Sequence, residues 1–108
     1  MAAACFCGAC AQTSSQLRIQ LESFDPAERV RAALTIAERG DDSQLGALVD
    51  RLDDEDPAVR FYVILAMERM TNTRLGYSYA APIKDRRRAI EKWRQYVRDR
   101  AAAAESPE

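Results

Sequence analysis

Apolar residues recur along this chain at helical spacing, interrupted by short polar intervals. Leu17, Leu21 and Phe24 fall at i, i+4 and i+7. Val30, Ala33, Leu34 and Ala37 fill i, i+3, i+4 and i+7, and Leu45, Leu48, Val49 and Leu52 repeat that template. Val59, Val63, Ala66, Met67 and Met70 make a fourth stripe, and Ile90, Trp93 and Val97 a fifth. Each residue advances about 100° around an α-helix, so this spacing gathers the apolar side chains on one face. Five helices are predicted, each with a face to bury. The fourth is rich in β-branched residues (Val59, Val63, Ile64), which singly suit a strand. The proline at its start and three turns of helical period decide for helix.

Polar punctuation agrees with these segments. Thr13, Ser14 and Ser15 can cap the first helix. Asp25-Pro26 and Asp56-Pro57 each read as an N-cap followed by a first-turn proline, where the missing amide costs nothing. Glu28 can complete a capping box with Asp25. Gly40 supplies a left-handed stop, and Asp41, Asp42 or Ser43 opens the third helix. Residues 71–81 form the one long irregular connection, ending at Pro82. The last helix runs from about residue 83 towards 103. The expected organisation is a Cys-containing tail or signal remnant over 1–12, a helical domain over 13–100, and a frayed tail over 101–108.

The chain also repeats itself. Pro26 to Leu34 and Pro57 to Val63 share the theme of proline, valine-arginine and apolar helix, with Val30-Arg31 and Val59-Arg60 lying 29 positions apart. That distance is in the range of helical repeats, each unit reading helix, short turn, helix. Asp56-Pro57-Ala58-Val59-Arg60 resembles the opening of the second helix in the short bacterial HEAT-like repeats, the kind also found in phycobilin-lyase-type proteins. The first copy departs from that pattern, with two extra residues before Val30-Arg31. Residues 76–94, a loop followed by a helix bearing Trp93, resemble the closing segment of such proteins. The resemblance covers about residues 17–97. It implies an all-α fold, a short α-solenoid of helical pairs closed by a C-terminal capping helix. It also implies that an Asp six residues before the Arg ties adjacent units, which falls here on Asp25 with Arg31 and on Asp54 with Arg60.

Composition sets the class of function. Apolar residues make up 47% and charged residues 31% of the 108, which is a globular balance with a thin core. No apolar run approaches the ~20 residues of a membrane span. There is no His, which removes the commonest general base and the usual zinc ligand. No phosphate loop, His-Glu-x-x-His or nucleophile elbow is present, so the expectation is a non-catalytic chain with no cofactor. Asp53-Asp54-Glu55-Asp56 lacks the spacing of a calcium loop and reads as helix capping.

Net charge is −1, but acids dominate residues 22–56 and bases residues 84–100. Two solvated helix surfaces that attract each other account for this. The alternative is nucleic-acid binding through the basic C-terminal helix. The leading expectation is a scaffold or adaptor for a protein partner, because stacked helical pairs present a shallow groove to an extended partner. Tyr77, Tyr79, Arg87 and Arg94 are the candidate partner contacts, and Trp93 is expected in the core with Ile90 and Val97. Cys5, Cys7 and Cys10 leave three readings open: a tail without a role, the end of a lipoprotein signal starting further upstream, or a metal or redox site lacking a fourth ligand. The compartment follows suit, cytoplasmic by default and the cell envelope if the start lies upstream.

Overall fold

In the computed structural model, which describes residues 12–105, the two Asp-Pro pairs set the frame. Asp25 and Asp56 accept hydrogen bonds from the amides of Ala27 and Ala58 at 3.0 and 2.9 Å, and Pro26 and Pro57 occupy the first helical turn. These start α2 (Pro26–Arg39) and α4 (Pro57–Thr71). Each is preceded by a short antiparallel mate, α1 (Ser14–Gln20) and α3 (Leu45–Arg51), the latter entered through a 3₁₀ turn at Asp42–Gln44. A long α5 (Ile83–Glu105) follows the connection of residues 72–82. Among the described residues there is no strand. α1 packs on α2, α3 on α4, and α2 on α4, so two helical pairs stack with α2 and α4 side by side in one layer.

Caps explain most boundaries. Thr13 and Gln16 form a full capping box. Gly40 (φ 63°) closes α2 in the left-handed region, and Asn72 (φ 65°) does the same for α4. Glu28 does not complete a box with Asp25. Its carboxylate instead takes Gln20 Nε2 at 2.6 Å and Arg31 at 2.7 Å. Gln12 joins that network through Gln20, and Arg39 donates to the Gln12 carbonyl. These bonds tie α1 and Gln12 before it to both ends of α2.

The repeat register differs from the Val-Arg spacing. N-cap, proline and the arginine that returns to the preceding turn recur 31 residues apart: Asp25 with Asp56, Pro26 with Pro57, and Arg29 with Arg60. Arg29 donates to the Ser23 carbonyl at 2.6 Å and Arg60 to the Asp54 carbonyl at 2.8 Å, each six residues back. Arg29, not Arg31, is thus the first copy's structural arginine. The sequence hides this because Glu28 stands where the second copy has Val59.

Two apolar stripes also need correction. α1 ends before Phe24, which lies in the turn and is wholly exposed. On α2 the buried face is Arg29, Ala32, Ala33, Ile36 and Ala37, while Leu34 faces outward at 39% exposure. That helix packs against both α1 and α4, so its core face is wider than one stripe and rotated from the one read off Val30. The stripes of α3 (Leu45, Leu48, Val49, Leu52) and α4 (Val59, Val63, Ala66, Met67) are buried as expected.

After α4 residues 72–82 form an irregular connection with two tight turns, closed by the amides of Tyr77 and Ala81 on the carbonyls of Arg74 and Ser78. Trp93 Nε1 donates to the Arg74 carbonyl at 2.9 Å, and the Tyr77 hydroxyl donates to the Leu52 carbonyl at 2.6 Å, pinning residues 74–77 to the body. Leu75 and Gly76 take positive φ (52° and 79°) to make the turn between these anchors. α5 then runs antiparallel to α3: Arg94 meets Asp50 at 3.3 Å, Val97 lies over Gly46, and Arg100 meets Asp42 at 2.8 Å. The main contact of α5 is with α3. Trp93 is fully buried and stands edge-on to Tyr96, their ring centroids 5.2 Å apart.

Candidate functional site

The expected partner contacts do not form one surface. Tyr77 is 3% exposed, and its hydroxyl is spent on the Leu52 carbonyl. Burial pushes its pKa up to about 12. The loop position that made it a contact candidate is the position that lets it plug the body. Arg94 faces Asp50 across the α3–α5 seam, with Glu91 at 4.0 Å. Tyr79 is 37% exposed and edge-on to Phe61, the centroids 5.1 Å apart, with its carbonyl taking Arg60 Nε at 3.1 Å. Arg87 projects into solvent from the second turn of α5.

The structural candidates rearrange too. Asp54 is buried, and its carboxylate receives Arg29 NH2 at 3.2 Å, Arg51 at 3.3 Å and the Asp56 amide at 2.9 Å. Arg29 Nε lies 3.0 Å from the same carboxylate, but it is not aligned to donate, so that contact is charge attraction alone. The carboxylate therefore ties the second unit to the first through Arg29, while Arg60 reaches only the Asp54 main chain. Asp25 caps α2 and does not meet Arg31, which pairs with Glu28.

Large apolar side chains also remain exposed on the two long inner helices. The outward sides of α2 and α4 carry Leu34 and Tyr62, each 39% exposed, with Val30 and Leu65 half-buried beside them. In the 31-residue register Leu34 and Leu65 are equivalent, so the same position of the repeat carries leucine in both helices. The signal was present in the sequence, but only in the correct register. A hollow of about 520 Å³ lies along the α3–α5 seam, floored by Leu45, Gly46, Val97 and Ala101 and crossed by the Asp42–Arg100 pair. Among the described residues no group of three or more His, Cys, Asp or Glu could hold a metal ion, and no helix is long and apolar enough to cross a membrane. Cys5, Cys7 and Cys10 lie outside the described residues.

Two stacked antiparallel helical pairs with a buried Asp–Arg tie between them define a short α-solenoid. Residues 14–105 match the family of HEAT repeats, and the chain belongs to that family. HEAT repeats are commonly protein-interaction scaffolds. No curated protein and no solved structure matches the chain.

Proposed function

We propose that this chain is a non-catalytic scaffold or adaptor that holds an extended protein segment along the outward face of α2 and α4. The observation that carries this reading is the exposure of Leu34 and Tyr62 on adjacent helices, with Leu65 at the repeat position of Leu34. Large apolar groups left in water side by side mark interaction surfaces, and aromatic anchors contribute most of the binding energy there. Tyr79, edge-on to Phe61 of α4, and the exposed Arg87 of α5 remain candidate contacts. The Asp56-Pro57-Ala58-Val59-Arg60 opening supports a place among the short bacterial repeats of the phycobilin-lyase type.

The alternative, nucleic-acid binding by α5, is weakened by Arg94 and Arg100, which are engaged by Asp50 and Asp42. Comparative crosslinking in the native host tests the two. Proteins joined to the wild type should be lost with Leu34→Asp and Tyr62→Ala, both of which should keep native helicity. An unchanged crosslinked set would refute the assigned face. A mobility shift with duplex or single-stranded nucleic acid, abolished by salt, would favour the alternative.

A further inference from the structure

Charge is ordered along the edge where the helices turn over. The turns at residues 21–25 and 52–56 lie side by side around a hollow of about 350 Å³, and its rim carries Glu22, Asp53 and Glu55 beside the exposed Phe24. Arg29 and Arg51, on the same hollow, are already taken by Asp54. Glu22, Asp53 and Glu55 have no ion pair among the described residues.

The connection that leads into α5 is tied to the second turn by the bonds from Tyr77 to Leu52 and from Arg60 to Asp54 and Tyr79, so α5 starts a few residues beyond that anchorage. Here Lys84, Arg87 and Arg88 are exposed next to Ile83, itself 50% exposed. Arg88 reaches only an exposed Asp85 at 3.5 Å. Lys84 lies in the first turn of this 23-residue helix beside Asp85, and Arg87 and Arg88 follow in the second. Arg86 is explained by its bond to the Ala81 carbonyl at 2.8 Å. Lys84 and Arg87 have no ion pair among the described residues.

We propose that this edge is a self-association surface whose occupant is a second copy of the chain. A strip that is acidic at one end and basic at the other is self-complementary under a two-fold rotation. Glu22, Asp53 and Glu55 of each copy then face the basic end of the other, and Phe24 meets the partner's Ile83. Both contacts form twice and the assembly closes at two subunits. A net charge of −1 adds little repulsion between copies. A basic peptide or a nucleic acid would match only half of the strip.

Sedimentation of the full chain across concentration tests the assignment. A monomer–dimer equilibrium is expected, with the dissociation constant at least about tenfold weaker at ~0.5 M than at ~0.05 M salt. The triple variants E22K/D53K/E55K and K84E/R87E/R88E should each be monomeric with unchanged helicity. Mixed one to one, they should recover the dimer, because each then supplies what the other lacks. If a reversal unfolds the chain, the neutral E22Q/D53N/E55Q replaces it and should also be monomeric. A monomer persisting to about 0.5 mM at low salt would overturn the proposal. So would a dimer that survives both reversals, or a monomer that binds duplex DNA through Lys84, Arg87 and Arg88.

Discussion

Arg29 and Arg31 carry the same charge two positions apart on α2, yet they should answer mutation differently. Arg29 is buried against Asp54, so Arg29→Ala leaves a carboxylate inside the protein without its main partner and should cost about 3–5 kcal/mol. Arg31 pairs with Glu28 in water, and Arg31→Ala should cost less than about 1 kcal/mol. Urea denaturation separates the two cases, and a double-mutant cycle should couple Arg29 to Asp54 more strongly than Arg60 to Asp54. Equal losses at Arg29 and Arg31 would return the tie to the sequence's first choice. Trp93 has both an apolar and a polar reason to stay put, so Trp93→Ala should cost about 3–5 kcal/mol and Trp93→Phe less. Its fluorescence should be blue-shifted until denaturation; emission typical of exposed indole would contradict its burial. Tyr77 offers a pH signature. Its pKa is raised from 10.0 to about 12 in the folded chain, so its contribution is complete below pH 10 and is lost as pH climbs through 12. Ultraviolet titration should show one tyrosine lagging, and Tyr77→Phe should remove that late step.

Among the elements, α3, seven residues long like α1, has no side-chain cap of its own and depends on its surroundings. Its entry rests on Asp41, whose carboxylate accepts from Ser43 and from Ser14 of α1. Those bonds, Ser43 foremost, hold its pKa below the ordinary 3.8, and Arg31 and Gln20 lower that of Glu28 below 4.5. A depressed carboxylate stabilises above its unfolded pKa and ceases to as pH falls through the folded one. The denaturation midpoint should therefore be level above about pH 5 and fall below pH 4. Asp41→Asn should flatten part of that acid limb. Gly46, inside α3, is a different case. A Cβ there would meet Val97 Cγ1 at 4.0 Å, an ordinary contact, so Gly46→Ala should stabilise by about 0.5–1 kcal/mol through helix propensity. A loss of stability would show the seam to be tighter than that.

For the whole molecule, the line between local and tertiary information runs through particular residues. Helix existence was legible from end to end, because the 3.6-residue period and the Asp-Pro starts are local chemistry, satisfied by the residues beside them. Trp93 in the core and the stripes of α3 and α4 were legible for the same reason: each of those helices presents an unambiguous apolar face. Where α2 must serve two neighbours, its face widened, an arginine took a core position and Leu34 was left outside. Asp54 chose Arg29, 25 residues away, over Arg60, which answered to the main chain instead. Tyr77 moved from presumed surface to interior because only the course of residues 72–82 brings it under Leu52. The antiparallel seating of α5 on α3 had no local cause and depended on which acids lay within reach of Arg94 and Arg100. By itself the sequence determined a chain of capped amphipathic helices in two related pairs. The tertiary structure alone decided which charges were buried, which apolar groups stayed in water and how the end was closed, because a buried charge or an exposed leucine is set by the neighbours a helix acquires and not by its own period.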